Sequence, residues 1–247
     1  MKIPAISTKG KKLTLSFDVD YRQPITLQIV GYDVDRPKTL YFDRTHWEDQ
    51  PGICKLEFPL AVSPKRLAIN FYNVTNGDER AYDVVGAMSS NLKQKRDARI
   101  HPQTLQFFEF AKWFCKNAAY LPPGVYRDRK RKFKIIYYGG GIVDKKEGEI
   151  DTAARADHET NDIEFSKEWF KDFTVPAAIV ISLHEYIHLA WNTWDETEAD
   201  LRAVDVALCY GLPKTECLYA FTRIFSNSNT SAERANIIAK YIDEWEM

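Results

Sequence analysis

The sequence predicts an α+β fold: an antiparallel, sandwich-like β module at the N-terminus, then a domain whose C-terminal half is mostly helical. Three observations carry this. Apolar residues recur with period two through the first third of the chain. Helical spacing prevails after Pro102, and its helices follow the strands rather than alternate with them. The length of 247 residues suits one large core or two small ones.

Taking the elements in order, Leu13, Leu15, Phe17 and Val19 alternate with polar residues, as do Ile25, Leu27 and Ile29. The same pattern returns at Cys54, Leu56, Phe58 and Leu60, and at Leu67, Ile69 and Phe71. Gly, Pro and Asp turns separate these runs, as expected for half-buried antiparallel strands of a small sandwich or open barrel. No chemical motif lies in residues 1–75, which read as a scaffold or docking module. The turn cluster Thr75–Asn76–Gly77–Asp78 and the polar, basic stretch Ser89–Arg99 place a connection at 76–100. The second domain is then 101–247.

Beyond Pro102, Leu105, Phe108, Lys112 and Cys115 mark successive helical turns, with Phe107, Phe110, Trp113 and Phe114 on an aromatic face. Pro122–Pro123–Gly124 stops that helix. The run Arg127–Lys132 reads as a solvated, charged connection. Phe133–Tyr138 is a strong strand, and Gly139–Gly140–Gly141 after it lacks the spacing of a phosphate-binding loop. Residues 153–165 predict a strand, a turn near Asn161 and a second strand. Helices are expected at about 166–171, 176–191, 196–210, 214–226 and 231–245.

Composition excludes several classes. Thirty-four Lys+Arg against 35 Asp+Glu leave a formal charge of −1, which argues against a polyanion binder, so no nucleic-acid partner is expected. No stretch approaches 18 apolar residues, so no membrane span is expected. The N-terminal MKIPAISTKGKK lacks the apolar core of a signal peptide, which makes a cytoplasmic location the expectation. Cys54, Cys115, Cys209 and Cys217 form no C-x-x-C pair and read as reduced, mostly buried thiols without disulfide or metal roles.

Two of the five His sit in His184–Glu185–Tyr186–Ile187–His188. On a helix, positions i and i+4 share one face a turn apart, so both imidazoles can reach one metal ion. Glu185 lies beside them, within reach of a metal-bound water as general base. Thr174 and Pro176 supply helix-start residues. Ala177 to Ala190 is apolar nearly all round, so the helix is buried, and a metal would satisfy two imidazoles and a carboxylate that are otherwise costly to bury. Zinc needs a third protein ligand. Glu196, Glu198, Asp200 and His158 are the candidates. Glu196 and Asp200 stack on one helical face, although Glu196 also fits a capping box with Thr193, and Asp195 with Glu198 fits one register later.

With H-E-x-x-H followed by E-x-x-x-D one helix later, the sequence resembles the gluzincin metallopeptidases, and E-T-E-A-D with Ala203 after it looks most like the minimal, membrane-peptidase-related members. The resemblance implies a zincin-like domain with Zn2+ held by His184, His188 and Glu196, and with Asp200 orienting His184. It also implies that a strand borders the substrate cleft before the motif helix, which makes 153–165 the candidate edge. Only seven residues separate His188 from Glu196, fewer than is usual in that group, so a tight turn near Asn192–Asp195 is required. Trp191 and Trp194 stand where a metzincin would carry Gly and His.

The implied activity is zinc-dependent hydrolysis of peptide bonds in a protein or peptide substrate, with Glu185 as general base. Tyr210, Tyr219 and Arg234 are conceivable oxyanion donors, and nothing in the sequence selects among them. The alternative is a structural protein that keeps the zincin fold with little or no catalysis. In overall style the chain is similar to proteins of tailed phages, including virion neck or ring components, which would put it in a host cytoplasm or a virion among neighbouring assembly proteins, as a homo-oligomer. An aromatic content of 13% leaves material for such interfaces.

Overall fold

The computed structural model describes residues 1–92, 100–144, 148–150, 152–224 and 229–245. Its contacts divide the chain into two compact units, Met1–Gln94 with Gly211–Pro213, and Lys95–Tyr210 with Lys214–Met247. The architecture is α+β, with antiparallel sheets first and helices in the C-terminal part.

The first unit has seven strands: β1 (Lys2–Ser7), β2 (Leu13–Tyr21), β3 (Ile25–Asp33), β4 (Leu40–Glu48), β5 (Gly52–Leu60), β6 (Arg66–Asn73) and β7 (Tyr82–Asn91). They form two antiparallel sheets, ordered β1-β6-β3-β4 and β5-β2-β7. The alternating apolar residues of β2, β3, β5 and β6 point into the space between the sheets. There Phe17 meets Phe58 and Phe71 edge to face at 5.9 and 5.6 Å, and Phe42 stacks on Phe58 at 4.6 Å. Phe42 fits because Gly31 opposite it has no side chain: a Cβ there would come within 2.4 Å of the ring.

The expected end of this module at residue 75 is corrected. β7 pairs with β2 along its whole length, from Tyr82 opposite Tyr21 to Asn91 opposite Leu13. Its outer residues are mostly exposed and it lies at a sheet edge, so burial imposes no apolar alternation on it. Part of the expected connection, residues 93–99, lies outside the described residues.

The second unit opens with α1 (Pro102–Asn117), whose first turn is capped by His101 Nδ1 accepting from the Gln103 N–H. Then come β8 (Gly124–Arg127), β9 (Lys134–Tyr138), β10 (Ile142–Asp144), β11 (Gly148–Ile150), β12 (Ala154–Asp157) and β13 (Asp162–Ser166). Four of these make a sheet ordered β12-β13-β9-β8, in which only β13 and β9 are parallel. The charged run before β9 is an ordered loop. The Asp128 carboxylate accepts from the backbone N–H of Lys130, Lys132 and Phe133 and from Gln106 Nε2.

The helices that follow are α2 (Lys167–Phe170), α3 (Val175–Trp191), α4 (Glu196–Tyr210), α5 (Lys214–Ile224) and α6 (Asn229–Glu244). α3 is the hub, buried along nearly its full length between α1, α4, α5 and β12. Thr174 caps it by accepting from the Ala177 N–H, and Asn192 ends it in the left-handed conformation at φ 48°. Phe107 of α1 stacks on Tyr186 of α3 at 4.3 Å, which fixes the rotation of α3 about its axis. No described helix is long and apolar enough to cross a membrane.

Candidate metal centre

α3 carries His184 and His188 on the face turned toward the start of α4. Each ring is held from behind. His188 Nδ1 lies 2.8 Å from the Thr193 carbonyl, which can only accept, so Nδ1 carries the proton and Nε2 keeps its lone pair. His184 Nδ1 lies 2.9 Å from Asp200 Oδ1, close enough for strong charge contact although the angle is off the line of a hydrogen bond. Both Nε2 atoms consequently face one point, 3.1 Å apart.

Glu196 completes the group, its two carboxylate oxygens 3.4 and 3.5 Å from the Nε2 atoms of His184 and His188. The short link between the helices makes this geometry. Asn192 turns the chain, the Thr193 N–H bonds back to the His188 carbonyl, and Asp195 becomes the N-cap of α4 by accepting from the Thr197 and Glu198 N–H groups. Glu196 is therefore released from capping and stands in the first turn, aimed at the histidines. The register that begins at Asp195 is the one adopted.

The other third-ligand candidates lie elsewhere. Glu198 accepts from Thr193 Oγ1 and pairs with Arg202. Asp200 stands behind His184. His158 stacks on Trp194 with ring centroids 3.8 Å apart, and its centroid is 6.4 Å from that of His188.

Arg234, on α6, binds Asp200 through both oxygens, Nε to Oδ2 at 2.8 Å and a terminal nitrogen to Oδ1 at 2.9 Å. The same guanidinium lies 3.0 Å from Glu196. Of the three conceivable oxyanion donors only Arg234 borders the site. Tyr210 instead donates to Glu109 and stacks on Phe108. The sequence carries no local signal for Arg234, because it stands 34 positions beyond Asp200 and reaches it only through the packing of α6 on α4.

The electrostatics follow from burial and mutual charge. Burial disfavours the charged form of His184, but Asp200, Glu196 and Glu185 outweigh it and raise its pKa to about 10. Burial, with help from Glu196 and Asp200, raises Glu185 to about 7, against the pull of His184 and the Ala156 N–H. His184, followed by Arg234 and His188, lowers Glu196 to about 2. Burial also lowers His188. Three carboxyl groups and two imidazoles thus lie together, with the Arg234 guanidinium against two of the carboxylates.

The donor set fits a tetrahedral divalent ion. Metal–ligand bonds of about 2.0–2.1 Å imply ligand–ligand edges of about 3.3 Å, close to the separations here. The donors open on a cleft of about 430 Å³, lined also by Ala153, by Ala154–Ala156 of edge strand β12, and by His158 and Trp194. Glu185 lines the same cleft. No known family's sequence profile matches the chain, and no curated protein matches it.

Proposed function

We propose that the chain is a zinc-dependent peptidase of the gluzincin type, acting on a protein or peptide. The observation that carries this reading is the convergence of His184, His188 and Glu196 beside Glu185, in a cleft bordered by an edge strand. A zinc ion held by those three residues supplies Lewis acidity and a water of lowered pKa. Every other part of the chemistry belongs to the chain.

Glu185 sits one residue from the first ligand and faces the cleft, buried, with a proton affinity raised toward neutrality. It accepts the proton of the attacking water and returns it to the leaving amine. Asp200 and the Thr193 carbonyl hold the two imidazoles in the orientation that directs Nε2 outward. Arg234 neutralises Asp200 and borders the cleft, so it offsets negative charge that builds up at the substrate carbonyl. β12 is an edge strand, and an extended peptide can pair with its free backbone groups. That mode recognises backbone more than side chains, which suits an unfolded protein segment.

The test uses the purified full chain and a labelled, unfolded casein. The expected result is hydrolysis that is lost in Glu185→Gln while zinc content is unchanged, and loss of one zinc equivalent in the His184→Ala, His188→Ala double variant. Full activity in Glu185→Gln would overturn the reading, as would a zinc content insensitive to both histidines. Zinc retained without turnover, together with ring-like oligomers, would favour the structural alternative.

A further inference from the structure

A second group of mixed donors lies in the first unit. His46 and Glu48 stand two apart on β4 and so share a face, opposite the buried Leu27 and Ile25 of β3. Cys54 of β5 lies opposite Val19 of β2, and so shares the face that carries Val19 and Tyr21. β4 and β5 belong to different sheets, so the group bridges the sandwich where the chain crosses from one sheet to the other. His46 Nε2 is 3.9 Å from Cys54 Sγ and 3.7 Å from Glu48 Oε2. All three residues are half-buried.

An independent feature points into the same place. Tyr21 is 1% exposed, its ring stacks on His46 at 6.0 Å, and its hydroxyl has no hydrogen-bond partner. That hydroxyl is within electrostatic reach of both Cys54 and Glu48. A buried hydroxyl without a partner costs about 1–3 kcal/mol, and an anionic ligand atom nearby relieves that cost.

We infer that His46, Glu48 and Cys54 form a second site for a zinc-class divalent ion, clamping the two sheets of the N-terminal unit at the β4–β5 corner. The donor chemistry selects the ion: one imidazole nitrogen, one carboxylate oxygen and one sulfur suit zinc and exclude magnesium and calcium, which take oxygen ligands. A tetrahedral ion requires edges of about 3.6 Å between nitrogen and sulfur and about 3.3 Å between nitrogen and oxygen. The observed separations exceed these by a few tenths of an ångström, a closure that side-chain rotation supplies. On binding, the Cys54 S–H bond breaks, its proton leaves to solvent, and the sulfur bonds the metal. Tyr21 then donates to the thiolate or to Glu48. In the metal-free chain burial, with the neighbouring Glu48 charge, raises the Cys54 pKa and favours the thiol, and the experiment separates the two states.

Cobalt(II) replaces zinc with similar geometry and gives a near-ultraviolet charge-transfer band only when a thiolate binds it. His184, His188 and Glu196 offer no sulfur, so this band reports on the second site whether or not the first is real. Reduced, chelator-treated full chain titrated with cobalt should develop the band. It should vanish in Cys54→Ser, diminish in His46→Gln and persist in Cys209→Ser. Zinc should raise the unfolding midpoint of the His184→Ala, His188→Ala variant but not of the same variant carrying Cys54→Ser. Absence of the band in folded wild-type protein, or its persistence in folded Cys54→Ser, would overturn the inference.

Discussion

Replacing Arg234 with Met should destabilise the second unit by about 3 kcal/mol, for a reason separable from metal binding. Asp200 is 0% exposed and Arg234 17% exposed, and the guanidinium covers both carboxylate oxygens at 2.8 and 2.9 Å. Breaking a buried pair from one side leaves an uncompensated charge and costs about 3–5 kcal/mol. The lower end applies because His184 remains 2.9 Å from Asp200 and offsets part of the loss. Met preserves the aliphatic stem, so packing is nearly constant. For a unit of this size the unfolding midpoint should fall by about 6–12 °C.

The measurement is urea unfolding in the presence of a chelator, followed by tryptophan fluorescence. Five of the six Trp (113, 169, 191, 194 and 245) lie in the second unit, so the signal reports mainly on it. Asp200→Asn added to Arg234→Met should recover about half the loss, because a neutral amide is cheaper to bury than a lone carboxylate. A loss below about 1 kcal/mol, the range of an exposed ion pair, would refute the reasoning. A double variant no more stable than Arg234→Met would refute it equally.

In the first unit, Phe17→Ala should cost about 3–5 kcal/mol in urea unfolding, since the ring is 0% exposed and meets Phe58 and Phe71 across the sandwich. In the second, Asp128→Ala should release the loop before β9, and trypsin should cut at Arg129–Lys132 markedly faster than in the parent. Burial opposes the charged carboxyl of Asp128, yet its backbone donors outweigh this and hold its pKa below the usual value. Its contribution is therefore full above about pH 4 and lost as acidification passes through the lowered value. The Phe133 amide resonance should titrate with a midpoint below that of an ordinary aspartate.

Helices were legible because their signals are local. Thr174, Pro176 and the apolar run to Ala190 mark α3 without reference to any other segment, and the i, i+4 spacing of His184 and His188 places them on one face. Strands β2, β3, β5 and β6 were legible where burial on one face imposes alternation. β1 and β7 were not, since most of their residues are exposed, apolar Val85 and Met88 included, and burial imposes no alternation on them. The choice among Glu196, Glu198, Asp200 and His158 also exceeded the sequence. It turned on whether Thr193 or Asp195 caps α4, a difference of one register that spacing alone leaves open.

By itself, then, the sequence determined that one buried helix carries two imidazoles and a carboxylate, that acids follow within one turn and a loop, and that a β-rich module precedes them. Those features depend on residues within a few positions of each other. Tertiary structure alone decided that Glu196 faces the His pair, that Arg234 of α6 neutralises Asp200, and that His46, Glu48 and Cys54 meet Tyr21 between two sheets. Each is a convergence of segments distant in the chain. Their side chains meet only because burying apolar surface brings the segments together, and periodicity records which face is buried but not what it is buried against.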